Sequence, residues 1–221
     1  VTKFSVNSMS SSSQFRTTMV TTPDDLAAVH ALRYQVYCEE RGFLDGDRFP
    51  ENQEFDEFDR RSVHFAAFDE QGAVAAAARL VLSAEGETLP YQQFCSVYDD
   101  VELPRAGRAV EISRVVLNEG YRRPPAGGPA GSVMMGVYRQ MYLYCRENGV
   151  EYWYAAMERP LMRLLGTYGF GFRQIGPRAD YFGPVAVHLA HVSELLQPMA
   201  CRHPQQYAWF TNRSLDFAVA A

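Results

Sequence analysis

The chain is nearly devoid of lysine. Lys3 is the single one, and arginine carries the rest of the positive charge. The overall balance is acidic, formally -5 at neutral pH. That argues against a nucleic-acid binder, which needs a basic surface to meet phosphates. No apolar run reaches the ~18 residues from which a membrane-spanning helix is read. The opening stretch VTKFSVNSMSSSSQF lacks the apolar core and small-residue cleavage site of a secretory signal. Cys38, Cys95, Cys145 and Cys201 are scattered and form no C-x-x-C pair. They read as reduced thiols of a cytoplasmic protein rather than as disulfides or zinc ligands, and no metal is expected.

Apolar residues are plentiful. At 47% hydrophobic over 221 residues, the chain can bury a sizeable core. We read residues 14–221 as a single domain, preceded by a Ser-rich, aperiodic segment, 1–13, expected to be disordered. Charge is uneven along it. Residues 39–59 hold nine acids against two arginines, and residues 122–163 hold six arginines against three glutamates. Two solvated faces are the plain account; an acidic acceptor side and a basic carrier side are the functional one.

Hydrophobic periodicity sets the expected elements. A strand is read at 15–20. Thr22-Pro23-Asp24-Asp25 then starts a helix, with a capping hydroxyl, a proline suited to the first turn and acids at the positive helix end. Helical spacing runs through Leu26, Val29, His30, Leu32, Arg33, Val36 and Tyr37 to a stop at Gly42. Residues 43–61 form a long polar loop of the kind that carries function. Strands follow at 62–68, 73–82 and 109–117, then a loop at 118–131 and a helix at 132–148. A strand at 152–157, a helix at 159–168 and strands at 172–175 and 185–192 complete the series. The segment around Tyr207, Trp209 and Phe210 packs back on the core. This order predicts an α/β fold with a mixed central sheet flanked by helices.

Four constellations can carry chemistry. In YRRPPAGGPAG, Gly127, Gly128 and Gly131 permit close backbone approach before a helix N-terminus, and Arg122 and Arg123 add charge. The loop could hold the phosphates of coenzyme A or of a carrier protein's phosphopantetheine; a flexible connector is the other reading. It is not a P-loop, because G-x-x-x-x-G-K-[ST] is absent. In AVEISRVVL, strand alternation places Glu111 and Ser113 on one face and Val110 and Ile112 on the other. A carboxylate inside so apolar a strand is costly unless paired or functional. Glu111 is therefore either a general base or a partner of Arg79 or Arg114, and the Arg114 pairing would need a β-bulge. In EFDEFD, Asp56 and Asp59 are one helical turn apart. They suit a cationic amine, or a metal for which further ligands are missing, or a solvated acidic turn. In LRYQVYCEERG, Arg33 lies on the helical stripe, and Cys38 is a conceivable nucleophile with no adjacent histidine.

Together LRYQVY, EFDEFD, a hairpin ending in ARLVL, and VEISRVVL resemble the acyl-homoserine-lactone synthases and the long-chain N-acyl amino acid synthases. The resemblance is greatest to the GNAT-like branch associated with exosortase and PEP-CTERM systems, and it runs from about residue 25 to residue 176. It implies a GNAT fold, no bound cofactor, and two co-substrates: an acyl carrier protein or coenzyme A thioester as donor and a small amine as acceptor. It makes Arg33 the first-helix arginine, Asp56 and Asp59 the paired acids that shape the acceptor site, and Arg79 the strand arginine. Glu111, Ser113 and Arg114 match the family's E-x-S-R element, with Glu111 as base. The donor side falls to Val115, Val116 and Leu117 and the following loop, which departs from the usual Q/R-x-x-G-x-G/A pattern. Phe43 stands where homoserine-lactone synthases carry a tryptophan, which favours an amino acid or similar amine over S-adenosylmethionine.

Overall fold

The computed structural model describes residues 15–122 and 132–212. The segment expected to be disordered, and Arg123, Gly127, Gly128 and Gly131 of the glycine loop, lie outside the described residues. Seven strands, β1 (Arg16–Met19), β2 (Ser62–Phe68), β3 (Val74–Leu82), β4 (Ala109–Leu117), β5 (Tyr152–Glu158), β6 (Arg173–Asp180) and β7 (Pro184–His191), form one sheet in the order β1-β2-β3-β4-β5-β7-β6. Neighbours are antiparallel except β4 and β5, which run parallel. The helices are α1 (Pro23–Tyr34), α2 (Ser132–Glu147), α3 (Arg159–Tyr168), α4 (Gln197–Arg202) and α5 (Pro204–Thr211).

Helix α1 begins as its sequence dictates. The Thr22 hydroxyl accepts from the Asp25 amide at 3.1 Å, Pro23 opens the first turn, and Asp24 and Asp25 sit at the positive end. The predicted helix does reach Gly42, but its last part is a π-helical turn, Gln35–Glu40. There the Arg41 amide reaches back five residues to the Val36 carbonyl, 3.1 Å away. Such turns are frequent at functional sites. Gly42 ends the turn at φ +60°, a conformation glycine adopts without penalty.

Val29, Leu32 and Val36 pack on Ala66, Phe68, Ala77 and Val116 on one face of the sheet. On the other face Phe65, Ala67, Leu80, Val110 and Ile112 meet Val137, Met141 and Cys145 of α2. Phe210 of α5, with Tyr207 and Trp209 beside it, closes that side as expected, and Met199 of α4 joins it. Strand β6 is longer than the predicted 172–175. Gly176 and Pro177 break its pattern, yet β6 is an edge strand, where a register shift between Gln174 and Arg178 absorbs them.

Two irregularities of β4 create the site. Ala77 pairs with Val116 and Arg79 with Ser113, so Arg114 and Val115 together oppose the single residue Ala78. This is the β-bulge that the sequence left as a condition, and Arg114 takes φ +48° within it. Then β4 and β5 part. Their pairing runs from Ala109↔Tyr152 to Ile112↔Ala155 and stops, although both strands continue.

Candidate active site

Arg33 from α1, Arg79 from β3 and Arg114 from the bulge converge on the acids of EFDEFD. Arg33 donates to Glu54 at 2.6 Å and to Asp59 at 2.7 and 3.1 Å. Arg79 donates to Asp56 at 2.6 and 2.8 Å, to Asp59 at 2.7 Å and to the Ser113 hydroxyl at 2.9 Å. Arg114 reaches Glu54 at 3.1 Å and Asp56 at 2.9 Å, and its guanidinium lies 5.1 Å from the Tyr37 ring centre. Three cations meet three anions, so the cluster is formally neutral. Burial works to raise the Asp59 carboxyl, but the Arg33 and Arg79 guanidiniums outweigh it and hold the group far below the usual carboxylate range. Against burial, Arg33 and Arg114 lower Glu54 and Arg79 lowers Asp56 in the same way, so all three acids are ionised at neutral pH and engaged by guanidiniums. Glu54, almost completely buried, completes the network. It is the first letter of the motif and lies outside the one-turn spacing that relates Asp56 to Asp59.

His30 and His64 back this cluster, and with Asp59 they offer ligand atoms all within 4.8 Å of one another. These are the further ligands the sequence did not disclose. Asp59, however, already receives Arg33, Arg79 and the Asp56 amide, which occupy the lone pairs a cation would need. Burial pushes His64 down to about 4, so it is a neutral imidazole at physiological pH.

Glu111 stands apart from the network. It is 1% exposed, and its carboxylate accepts the Tyr91 amide at 2.9 Å. Neither Arg79 nor Arg114 forms an ion pair with it among the described residues. Tyr91 is brought there by a single 3₁₀ turn, Pro90–Gln93, and its ring stacks on Tyr154 with centres 5.0 Å apart. Burial pushes the Glu111 carboxyl up to about 8; the Tyr91 amide and the nearby guanidiniums pull against this and lose. A carboxyl tuned close to neutrality can give or take a proton at physiological pH. Cys38 is tuned the other way for a nucleophile: burial raises its thiol, disfavouring the thiolate.

A cavity of about 330 Å³ occupies the split between β4 and β5. Glu111, Ser113, Arg114, Tyr37 and Phe43 line it on the α1 face; Tyr138, Trp153, Leu161, Leu165 and Phe170 line it on the other. It therefore passes through the sheet, polar at one end and apolar at the other. The β6–β7 turn covers the polar end. Phe182, at φ +54°, stacks on Phe43 with ring centres 5.6 Å apart, and Tyr181 stacks on Phe94 at 4.3 Å. A bulky residue at positive φ is strained, and such strain concentrates at functional sites.

Of the residues singled out for the donor, Val115 lines the cavity. Val116 faces the α1 core, and Leu117 packs half-buried against the main core. Arg122 is ion-paired with Glu40 and also donates to the Leu117 carbonyl at 3.2 Å. Arg41, Tyr91, Tyr181 and Phe182 were not singled out in the sequence. Their places depend on loops and a hairpin tip whose docking no local pattern encodes.

Residues 32–127 match the sequence model of the Acetyltransferase (GNAT) domain. An acyl-homoserine-lactone synthase of Aeromonas salmonicida is 22% identical over 125 residues, which are 57% of this chain and 59% of that protein. The matched stretch thus spans less than two thirds of that relative. Among solved structures, the CoA-dependent acyl-homoserine lactone synthase BjaI with MTA superposes with a TM-score of 0.68 at 18% identity, covering 87% of this chain and 90% of its own. FeeM, an N-acyl amino acid synthase from uncultured soil microbes, gives 0.59 at 13% identity, covering 86% and 98%. The mixed seven-stranded sheet and its flanking helices are accordingly the GNAT-type α/β fold.

Proposed function

We propose that the protein is an N-acyltransferase that moves a fatty acyl group from a thioester of coenzyme A or acyl carrier protein to a small amine. The cavity that pierces the sheet carries this reading. It offers an apolar end for an acyl chain, and it holds Glu111, a buried carboxyl tuned near neutrality, at the polar end. The thioester carbonyl sits where β4 leaves β5 and Ile112–β5 pairing ends, so that backbone amides of the following β4 residues face it rather than a neighbouring strand. Arg122, Arg123, Gly127, Gly128 and Gly131, which in sequence lie between β4 and α2, are assigned to the donor's phosphates, for which Arg122 would exchange its Glu40 partner. Arg33, Asp56, Asp59, Arg79 and Arg114 form the rigid floor of the acceptor site, and Ser113 joins Arg79 to β4. Glu111 takes the amine proton, the nitrogen attacks the thioester carbon, and the tetrahedral intermediate collapses with loss of the carrier thiol. On its motif pattern we place the chain near the exosortase-associated branch.

Phe43 and the Phe43–Phe182 stack support an amino acid or similar amine as acceptor. S-adenosylmethionine, the acceptor of an autoinducer synthase, is the second reading. Acyl-CoA and acyl carrier protein bearing C8 to C18 chains, offered with mixed amines or S-adenosylmethionine and followed by mass spectrometry, test the proposal. An N-acyl amine supports it. An acyl-homoserine lactone with released methylthioadenosine favours the second reading. Thioester binding with no product from any pair identifies a carrier-binding module instead.

A further inference from the structure

Among the described residues, four charged ones line the cavity: Arg41, Glu111, Arg114 and Glu158. Arg114 is committed to Glu54 and Asp56. Arg41 is not committed. It ends the π-helical turn, is exposed at the cavity mouth, and has no ion pair or side-chain hydrogen bond among the described residues. Its guanidinium lies over the Phe43 ring, 5.9 Å from the ring centre. Its backbone is nonetheless fixed by the hydrogen bond to Val36 and by Gly42 behind it. An arginine held by its backbone, with its fork of donors unused and facing a cavity, is suited to a planar anion, above all a carboxylate. Beside it the stacked rings of Phe43 and Phe182 form an apolar wall. Glu111 lies in the same cavity.

We propose that Arg41 anchors a carboxylate of the acceptor, so that the acceptor is an α-amino acid or another amine carrying a carboxylate near its nitrogen. In this arrangement Arg41 holds the carboxylate, the Phe43–Phe182 wall takes the side chain, and the amine is left pointing to Glu111. The inference rests on the acyl-transfer reading and narrows its acceptor.

The test compares an amino acid with its decarboxylated amine, using wild type, Arg41→Met and Arg41→Lys. A charge-assisted hydrogen-bond pair corresponds to about tenfold to hundredfold in binding. In wild type the amino acid is therefore favoured in kcat/KM, and Arg41→Met lowers that preference about tenfold or more through acceptor KM, with Arg41→Lys in between. Calorimetry with N-dodecanoylglycine and N-dodecanoylglycinamide reads the same point without turnover: wild type binds the acid more tightly, and Arg41→Met binds the two alike. An unchanged preference, equal wild-type binding of acid and amide, or a rise in donor KM in place of acceptor KM overturns the proposal. The last result would give Arg41 to the donor's phosphates. Absence of both turnover and binding of either acyl compound would instead count against acyl transfer itself.

Discussion

Replacing Glu111 by glutamine isolates the most unusual titration in the protein. Glutamine has nearly the shape of the protonated glutamic acid and keeps an oxygen to accept the Tyr91 amide, but it cannot ionise. In wild type, burial raises the Glu111 carboxyl to about 8 in the folded protein. The unfolded chain binds this proton less tightly, with a pKa of roughly 4.3. The neutral carboxyl therefore contributes fully to stability below about pH 4.3, and that contribution drains away as the pH rises toward about 8. The slope is ~1.4 kcal/mol per pH unit. Between about pH 5 and pH 7.5 it costs wild type roughly 3 kcal/mol relative to Glu111→Gln. His30 and His64, whose pKa values burial lowers, slope the other way, losing stability as the pH falls below about 6.5. They are common to both proteins and cancel in the difference. Urea unfolding of both proteins across this range, followed by the fluorescence of buried Trp153, gives the difference curve. A difference that stays constant within about 0.5 kcal/mol would refute the assignment, because Glu111 would then ionise like an ordinary surface carboxyl.

Arg79→Met leaves Asp56 and Asp59 short of a guanidinium in a buried cluster, so urea unfolding is expected to show a loss of about 3–5 kcal/mol; a loss under about 1 kcal/mol would mean the network is solvated. Gly169→Ala is expected to lower the melting temperature. Gly169 holds φ +89°, and an added Cβ would stand 2.6 Å from the Met199 backbone. An unchanged melting temperature would contradict that packing. Phe170→Ala opens the apolar end of the cavity and is expected to shift donor preference, measured by competition between acyl chain lengths, toward longer chains. No shift would place the acyl chain elsewhere.

Much of the frame was legible because it depends on local patterns. Thr22-Pro23-Asp24-Asp25 specified a helix start, and alternation around Glu111 specified which side chains share a face. The split of β4 from β5 was not legible, since nothing in AVEISRVVL or YWYAAME marks where pairing ends. The bulge at Arg114 could be stated as a condition but not located, because the partners of its side chain, Glu54 and Asp56, lie far away in sequence. The acids of EFDEFD announced a charged site, yet their three arginine partners come from α1, β3 and β4, far away in sequence. Tyr91 reached Glu111 through an excursion between β3 and β4 that carries no motif.

Removal of the amine proton by Glu111 is the central step of the proposed transfer. Single-turnover amide formation, measured with a matched acyl thioester and amine from about pH 6 to pH 9, tests it directly. For wild type the rate is predicted to rise about tenfold per pH unit and level off near the Glu111 value of about 8. Glu111→Gln is predicted to be about a hundredfold slower or more and to lack that inflection. A Glu111→Gln rate within a few-fold of wild type, with the same pH profile, would contradict it.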